Sequence, residues 1–117
     1  MPEGVKIEID ASEVLAKFGK LKNAIPKDVD NAVQAGALDI ERDAKQYCPV
    51  DTGRLRSSIT AAKVMDGVAT VSTDVEYAQY QEYGTMYMPA QPFMMPALIV
   101  NEDQIRENIK RAVNQNL

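Results

Sequence analysis

Residues 77–98 read YAQYQEYGTMYMPAQPFMMPAL and hold four of the five tyrosines, four of the six methionines and three of the six prolines of this 117-residue chain. Glu82 is the only charged residue between Tyr77 and Val100, although charged residues make up 26% of the chain. A segment of this composition is either buried or kept free of charge for contact with a partner. Both alternatives favour a role in contact over a role in catalysis.

This stretch predicts a short helix, an apolar loop and a second helix. Tyrosines recur every three residues from Tyr77 to Tyr83, which places them along one side of a short helix. Gly84 is predicted to end that helix, because glycine adopts the left-handed backbone conformation without a Cβ penalty. The prolines make residues 86–91 an extended and stiff loop. Pro96 suits the first turn of the next helix, where its missing N–H would have had no partner.

Toward the N-terminus the sequence predicts one strand and two helices. Apolar residues alternate with charged ones over residues 4–10, which is the period of a strand with one buried face. They recur at helical spacing over residues 11–23 and over residues 27–47. Small residues at positions 35–37 allow another element to approach the longer helix closely. The stripe of the longer helix that is expected to face the core consists of Val29, Val33, Ala37, Ile40, Ala44 and Tyr47.

A β-hairpin is predicted in the middle of the chain. Asp66 and Gly67 are a strong signal for a two-residue hairpin turn, and the strands on either side are expected to cover residues 58–65 and 68–73. Pairing about this turn sets Met65 opposite Val68 and Ala62 opposite Val71. The face predicted to be buried collects Ala62, Val64, Ala69 and Val71.

The segment CPVDTGRLRSSI, residues 48–59, predicts a structural corner that leads into this hairpin. Asp51 and Thr52 are good N-cap residues for a turn of helix over residues 54–56. Gly53 permits a tight backbone at the same point. At the other end of the chain, one side of a last helix is marked by Leu98, Ile105, Ile109 and Ala112 or Val113.

Length and charge set limits on the classes of function. At 117 residues the chain is expected to form one domain over residues 1–117, with residues 114–117 frayed. The net charge of −4 comes without a run of lysine or arginine, which disfavours nucleic acid as the main partner. A single cysteine and the lack of a secretory segment predict folding in cytoplasm. No apolar stretch approaches the ~20 residues needed to cross a bilayer.

The sequence predicts no enzyme, no cofactor and no bound metal. Without histidine, the chain lacks the usual base of a catalytic triad and the commonest nitrogen ligand for zinc. Cys48 is therefore interpreted as structural or incidental, since no histidine can activate it. Asp39, Glu41 and Asp43 turn away from one another by about 200° per pair of residues on a helix. They are predicted to form a solvated face.

Two groups of residues are candidates for contact with a partner. Arg54 and Arg56 carry guanidinium groups that suit carboxylate or phosphate partners, and the alternative is that they pair with the acidic residues of the chain itself. Met86, Tyr87 and Met88 lie in the loop that the core is least able to cover, and the alternative is that they belong to the core.

Three motifs, in this order and at these spacings, resemble those of the small tail-completion or head-tail joining proteins of long-tailed bacteriophages and prophages. The motifs are PVDTGRLRSSI, YAQYQEYGT and PAQPFMMPAL, and the resemblance covers residues 32–113. It implies an α+β fold with a small antiparallel sheet, here the β-hairpin plus the N-terminal strand, packed against a long helix and a C-terminal helix. The family pattern falls on Val50, Asp51, Thr52, Gly53, Leu55, Tyr77, Ala78, Glu82, Tyr83, Gly84, Thr85, Pro92, Phe93 and Pro96.

The resemblance implies a structural protein of the virion, a minor tail component that acts in tail completion or head-tail joining at the neck. The partners that it implies are other neck or tail proteins and copies of the chain itself in a ring. The implied location is the virion and, during assembly, the cytoplasm of the host bacterium. The alternative function is that of a small prophage or host protein that binds another protein or nucleic acid without entering a virion.

Overall fold

The computed structural model of the chain describes residues 4–11, 26–49, 53–65 and 67–115. Within these ranges the chain forms β1 Val5–Asp10, α1 Lys27–Tyr47, α2 Arg54–Ser58, β2 Thr60–Met65, β3 Val68–Thr73, α3 Ala78–Tyr83 and α4 Met94–Gln115. This mixture of a sheet and helices confirms the predicted α+β class. Apart from Ala11, the helix predicted over residues 11–23 lies outside the described residues, as do Val50, Asp51 and Thr52 of the corner.

The three strands form one antiparallel sheet in the order β1-β3-β2. Alternation along β1 buries Val5, Ile7 and Ile9 and leaves the charged residues between them exposed, as the period-2 pattern predicts. The central strand β3 buries Ala69 and Val71 on the same face, opposite Ile9 and Ile7. This face and the apolar stripe of α1 belong to one cluster of buried side chains, which is the core of the fold.

The two long helices pack against each other in opposite directions. Gly36 of α1 lies so close to α4 that a Cβ at this position would be 2.8 Å from Cγ1 of Ile105. About one turn earlier on α4, the Asn101 side chain donates a hydrogen bond to Asp43 at 2.7 Å. The prediction that small residues admit a close neighbour is therefore confirmed at Gly36. The apolar side of α4 is buried as predicted, through Ile105, Ile109, Ala112 and Val113.

The predicted register of the β2–β3 hairpin is wrong beyond the turn. The pair next to the turn, Met65 and Val68, forms as predicted, but a β-bulge beyond it shifts the remaining pairs by one residue. Ala61 instead of Ala62 therefore lies opposite Val71. Because side chains alternate between the two faces of a strand, this shift turns Ala62 to the exposed face.

Burial was also predicted for Tyr47 and Val64. Tyr47 ends the apolar stripe of α1 in the sequence but is exposed in the structure, and Cys48 is buried in its place. The reason is that Cys48 follows Ala44 by four residues, which keeps it above the same side of the helix even though its own backbone is already extended. The side chain of Val64 lies outside the described part of the chain.

Candidate functional site

The most exposed apolar side chains of the described residues lie at the tip of a tight hairpin, residues 85–88, which we call the apolar hairpin. Thr85 and Met88 exchange two backbone hydrogen bonds of 2.8 and 3.3 Å, so that Met86 and Tyr87 are the two residues of the turn. Their side chains are 89% and 92% exposed. The prediction of an extended loop over residues 86–91 is wrong at this point, because these bonds reverse the chain.

The base of the apolar hairpin is held by α3. The backbone N–H of Gly84 donates to the Tyr80 carbonyl at 2.8 Å, and the positive φ of Gly84, 77°, confirms that glycine ends this helix. Its ψ of 177° is extended, so the left-handed helical conformation that was predicted is not the one adopted. A Cβ at position 84 would lie 2.8 Å from the nitrogen of Ala90. On the far side of the turn, the N–H of Gln91 donates to the Gln81 carbonyl at 2.7 Å. Both sides of the hairpin are therefore attached to the same short helix.

Glu82 of α3 caps the N-terminus of α4. Its side chain is only 4% exposed, and one carboxylate oxygen accepts the N–H groups of Phe93 and Met94 at 3.1 and 2.8 Å. The other oxygen accepts the N–H of Met95 at 3.0 Å. The next residue, Pro96, has no N–H to satisfy. The N–H groups that a helix leaves unpaired in its first turn are thus accounted for by one buried carboxylate and one proline.

Phe93 anchors the segment to the core. It is fully buried at the entry to α4, and Met94 beside it is buried as well, whereas Pro92 is exposed. On α3 the buried side consists of Ala78 and Glu82, one helical turn apart. Tyr83 lies on the exposed side together with Tyr80, and Tyr77 at the start of the helix is half-buried. The tyrosine stripe is therefore mainly a surface feature.

Arg54 pairs within the chain. Its guanidinium contacts both carboxylate oxygens of Glu76 at 3.2 and 3.4 Å and lies 5.7 Å from the centre of the Tyr77 ring. The backbone N–H of Glu76 itself, followed by Arg54, lowers the pKa of the Glu76 carboxyl below its usual value. Of the two alternatives for Arg54, the structure shows the internal ion pair. This contact also joins the first motif of the sequence to the second.

Cys48 is not placed to act as a nucleophile. Its thiol is buried, and burial raises the pKa of Cys48 above that of a free cysteine, although the positive charge of the half-buried Arg56 opposes this effect. A thiol with a raised pKa remains protonated at neutral pH and is a weak nucleophile. The interpretation of Cys48 as a structural residue agrees with this environment.

Of the three acidic residues of α1 that were predicted to form a solvated face, Asp39 keeps 42% of its side chain exposed, whereas Glu41 and Asp43 bond to neighbouring elements. Glu41 accepts the backbone N–H of Ala61 at 2.9 Å, at the outer edge of β2. Hydrogen bonds from Arg42 and Asn101 lower the pKa of the half-buried Asp43 carboxyl. Both carboxylates therefore fasten α1 to its neighbours. Across the described ranges, no group of three or more potential ligand side chains is arranged to hold a metal ion.

Three other described residues of the predicted pattern have backbone or packing roles. Gly53 precedes α2 with a φ of 78°, and Leu55 is buried in the core. The hydroxyl of Thr85 accepts the N–H of Tyr87 at 3.1 Å within the apolar hairpin. The second and third motifs meet at Glu82 and Phe93. The sequence contained one signal for this contact, a lone acidic residue shortly before a helix that lacks an acidic residue of its own in the first turn.

Comparison with protein families matches residues 12–84 to the family described as "Bacteriophage HK97-gp10, putative tail-component". This range is more than half of the chain. Searches of curated proteins and of solved structures found no match. In the part of the chain that the structure describes, no helix combines the length and the apolar character that crossing a membrane requires.

Proposed function

The chain belongs to the HK97-gp10-like family of bacteriophage tail components, and we propose that it acts in tail completion or head-tail joining at the neck. A phage tail component is a structural protein of the virion. The finer assignment to the neck draws its support from the three sequence motifs and from the shape and chemistry of the apolar hairpin. In this proposal the chain binds other neck or tail proteins as one domain and performs no covalent chemistry.

The observation that carries the proposal is the exposed and firmly held tip formed by Met86 and Tyr87. Between Tyr77 and Val100 the only charged residue is Glu82, and it is buried, so this segment adds no charged side chain to the surface. Exposed methionine and tyrosine are typical of contact surfaces, because they provide large apolar area and adapt to a partner. A charge-free tip of this kind is suited to a recess on another protein.

A ring of identical subunits is part of the same proposal. Phage necks and tails are built around a rotational axis, and a contact between different patches of identical subunits forms a ring when it closes. The net charge of −4 gives free copies some mutual repulsion at low salt, which opposes association before a tail is available. We therefore expect a monomer or weak oligomer in isolation and a ring in the virion.

The test is complementation of a phage that lacks the gene. Met86, Tyr87 and Met88 are replaced together by serine, and Leu38→Ser serves as the matched control because Leu38 is an exposed apolar residue of α1 outside this segment. We expect the triple variant to fold, as judged by circular dichroism, and to lower the infectious titre about 100-fold, as the loss of two anchoring side chains would. Unjoined heads and tails should accumulate.

Two results would contradict the proposal. A normal titre with the folded triple variant would remove the apolar hairpin as the docking surface. Virions that contain no copy of the protein by mass spectrometry would favour the alternative, a prophage or host protein that acts outside the particle. The control variant Leu38→Ser is expected to give the titre of the unmodified protein.

A further inference from the structure

We infer that Glu82 is the positioning residue of the apolar hairpin, because its carboxylate, shared by three N–H groups at the start of α4, fixes the direction in which Met86 and Tyr87 project. The inference rests on the proposed function, since the direction of the tip matters only if the tip docks. The buried side chain of Glu82 would not itself touch the partner. It acts through the backbone on either side of the hairpin.

Glu82 closes the base of the segment that carries the tip. The chain leaves α3 just after Glu82, reverses at Met86 and Tyr87, and returns to the same carboxylate at Phe93. The tip has little support of its own, since its two side chains are about nine-tenths exposed. Its direction is therefore set at the base. There, the carboxylate of Glu82 and the hydrogen bond from Gln91 to α3 are the fixed points.

A carboxylate is the group that this position needs. Both oxygens accept hydrogen bonds, and all three donors are backbone N–H groups at the positive end of a long helix. Glutamine has almost the same shape but offers one oxygen and one NH2 group, so that at least one N–H of α4 would face another donor. Aspartate is shorter by one methylene and reaches less far. Burial of the carboxylate is tolerated because these three hydrogen bonds replace those that water would have made.

A fixed tip docks more tightly than a free one. The conformational entropy that a loop loses when it becomes ordered on binding opposes association. A loop that is already ordered in the free protein has lost this entropy during folding. Release of the hairpin from α4 should therefore weaken docking even though Met86 and Tyr87 are unchanged. This separates the role of Glu82 from that of the tip residues.

Amide hydrogen exchange of the unmodified protein tests the coupling directly. We expect the N–H groups of Met88 in the hairpin and of Gln91 at its base to open together with those of Met94 and Met95 in α4, with protection factors that agree within about ten-fold. If Met88 and Gln91 exchange freely while Met94 and Met95 stay protected, Glu82 does not control the hairpin, and the inference is overturned. This measurement needs no variant and so does not depend on the folding of one.

The second test compares Glu82→Gln with Glu107→Gln, the same change at an exposed carboxylate of α4. Heads and tails from the gene-deficient phage are mixed with each purified variant, and infectious particles are counted against protein concentration. We expect Glu82→Gln to raise the concentration for half-maximal joining about ten-fold and to speed exchange at Met88 and Gln91, with Glu107→Gln unchanged. Wild-type joining by a folded Glu82→Gln variant with a released hairpin would overturn the inference.

The two proposals fail in different ways. If replacement of Met86, Tyr87 and Met88 by serine leaves joining intact, the docking surface is wrong whatever Glu82→Gln does. If that replacement abolishes joining but folded Glu82→Gln joins normally, only the positioning role is wrong. Should Glu82→Gln not fold, the exchange measurement on the unmodified protein decides the question by itself.

Discussion

Phe93 and Tyr87 are aromatic residues six positions apart in the same charge-poor segment, yet Phe93 is fully buried and Tyr87 is 92% exposed. Composition does not distinguish the two positions. The difference lies in where the neighbouring backbone hydrogen bonds go. At Phe93 the N–H is bonded to a buried carboxylate of another helix, whereas at Tyr87 the bonds stay within the turn itself.

This contrast shows that an apolar segment can contain both an anchor and a contact surface. The sequence left two alternatives for residues 77–98, burial or exposure to a partner, and the structure divides the segment between them. A hairpin that satisfies its own backbone can project apolar side chains without burying polar groups. The long-range contact at Glu82 holds the buried half of the segment in place. The exposed half, which carries the apolar hairpin, therefore projects from a fixed base.

The largest expected effect is at the anchor. Phe93→Ala removes a fully buried aromatic ring from the core and should lower the free energy of unfolding by about 3–5 kcal/mol. Urea denaturation followed by circular dichroism measures the change. Met95→Ala is the control, because Met95 lies in the same first turn of α4 but is half exposed, and its loss should be below about 1 kcal/mol. Equal losses for the two variants would mean that Phe93 is not the anchor.

The next effect concerns the junction between α3 and the hairpin. Gly84 and Gly53 have nearly the same positive φ, 77° and 78°, but a Cβ at Gly84 would crowd the backbone of Ala90, whereas a Cβ at Gly53 would meet nothing within 4 Å. Gly53→Ala should therefore show only the left-handed strain of about 1–2 kcal/mol. Gly84→Ala should lose about 1–3 kcal/mol more, through crowding and because the ψ of Gly84, 177° against −10° at Gly53, belongs to a backbone region that is essentially restricted to glycine. Thermal unfolding compares them, and equal losses would argue against a closed hairpin base.

Features with a local cause could be predicted from the sequence. The alternation in β1, the stripe of α1 and the glycine that ends α3 each follow from residues close together in the chain. The entry of α4 at Phe93 and Pro96 was also recognisable, because proline suits a first turn. These elements were enough to give the α+β class and to select the segment that holds the candidate site.

Features that depend on distant residues could not be predicted. The bulge in β2 shifts the register by one residue and turns Ala62 outward, and nothing in its local sequence marks it. The capping of α4 by Glu82 joins residues 11 to 13 positions apart across a chain reversal. The reversal itself, at Met86 and Tyr87, lacks the glycine or asparagine that usually marks a tight turn. In each case a contact outside the local pattern decides the structure.

The smallest expected effect is at the tip, where Met86→Ser combined with Tyr87→Ser should change the free energy of unfolding by no more than about 0.5 kcal/mol. The two side chains are about nine-tenths exposed, so their removal returns almost no apolar area to water. Met94→Ser is the matched control, since it makes the same change at a methionine that is 1% exposed and should lose about 2–5 kcal/mol. Chemical denaturation measures all three proteins.

A loss of more than about 2 kcal/mol in the double variant would show that the tip packs against the fold in solution. The contrast with Phe93 would then disappear, and with it the surface proposed for docking.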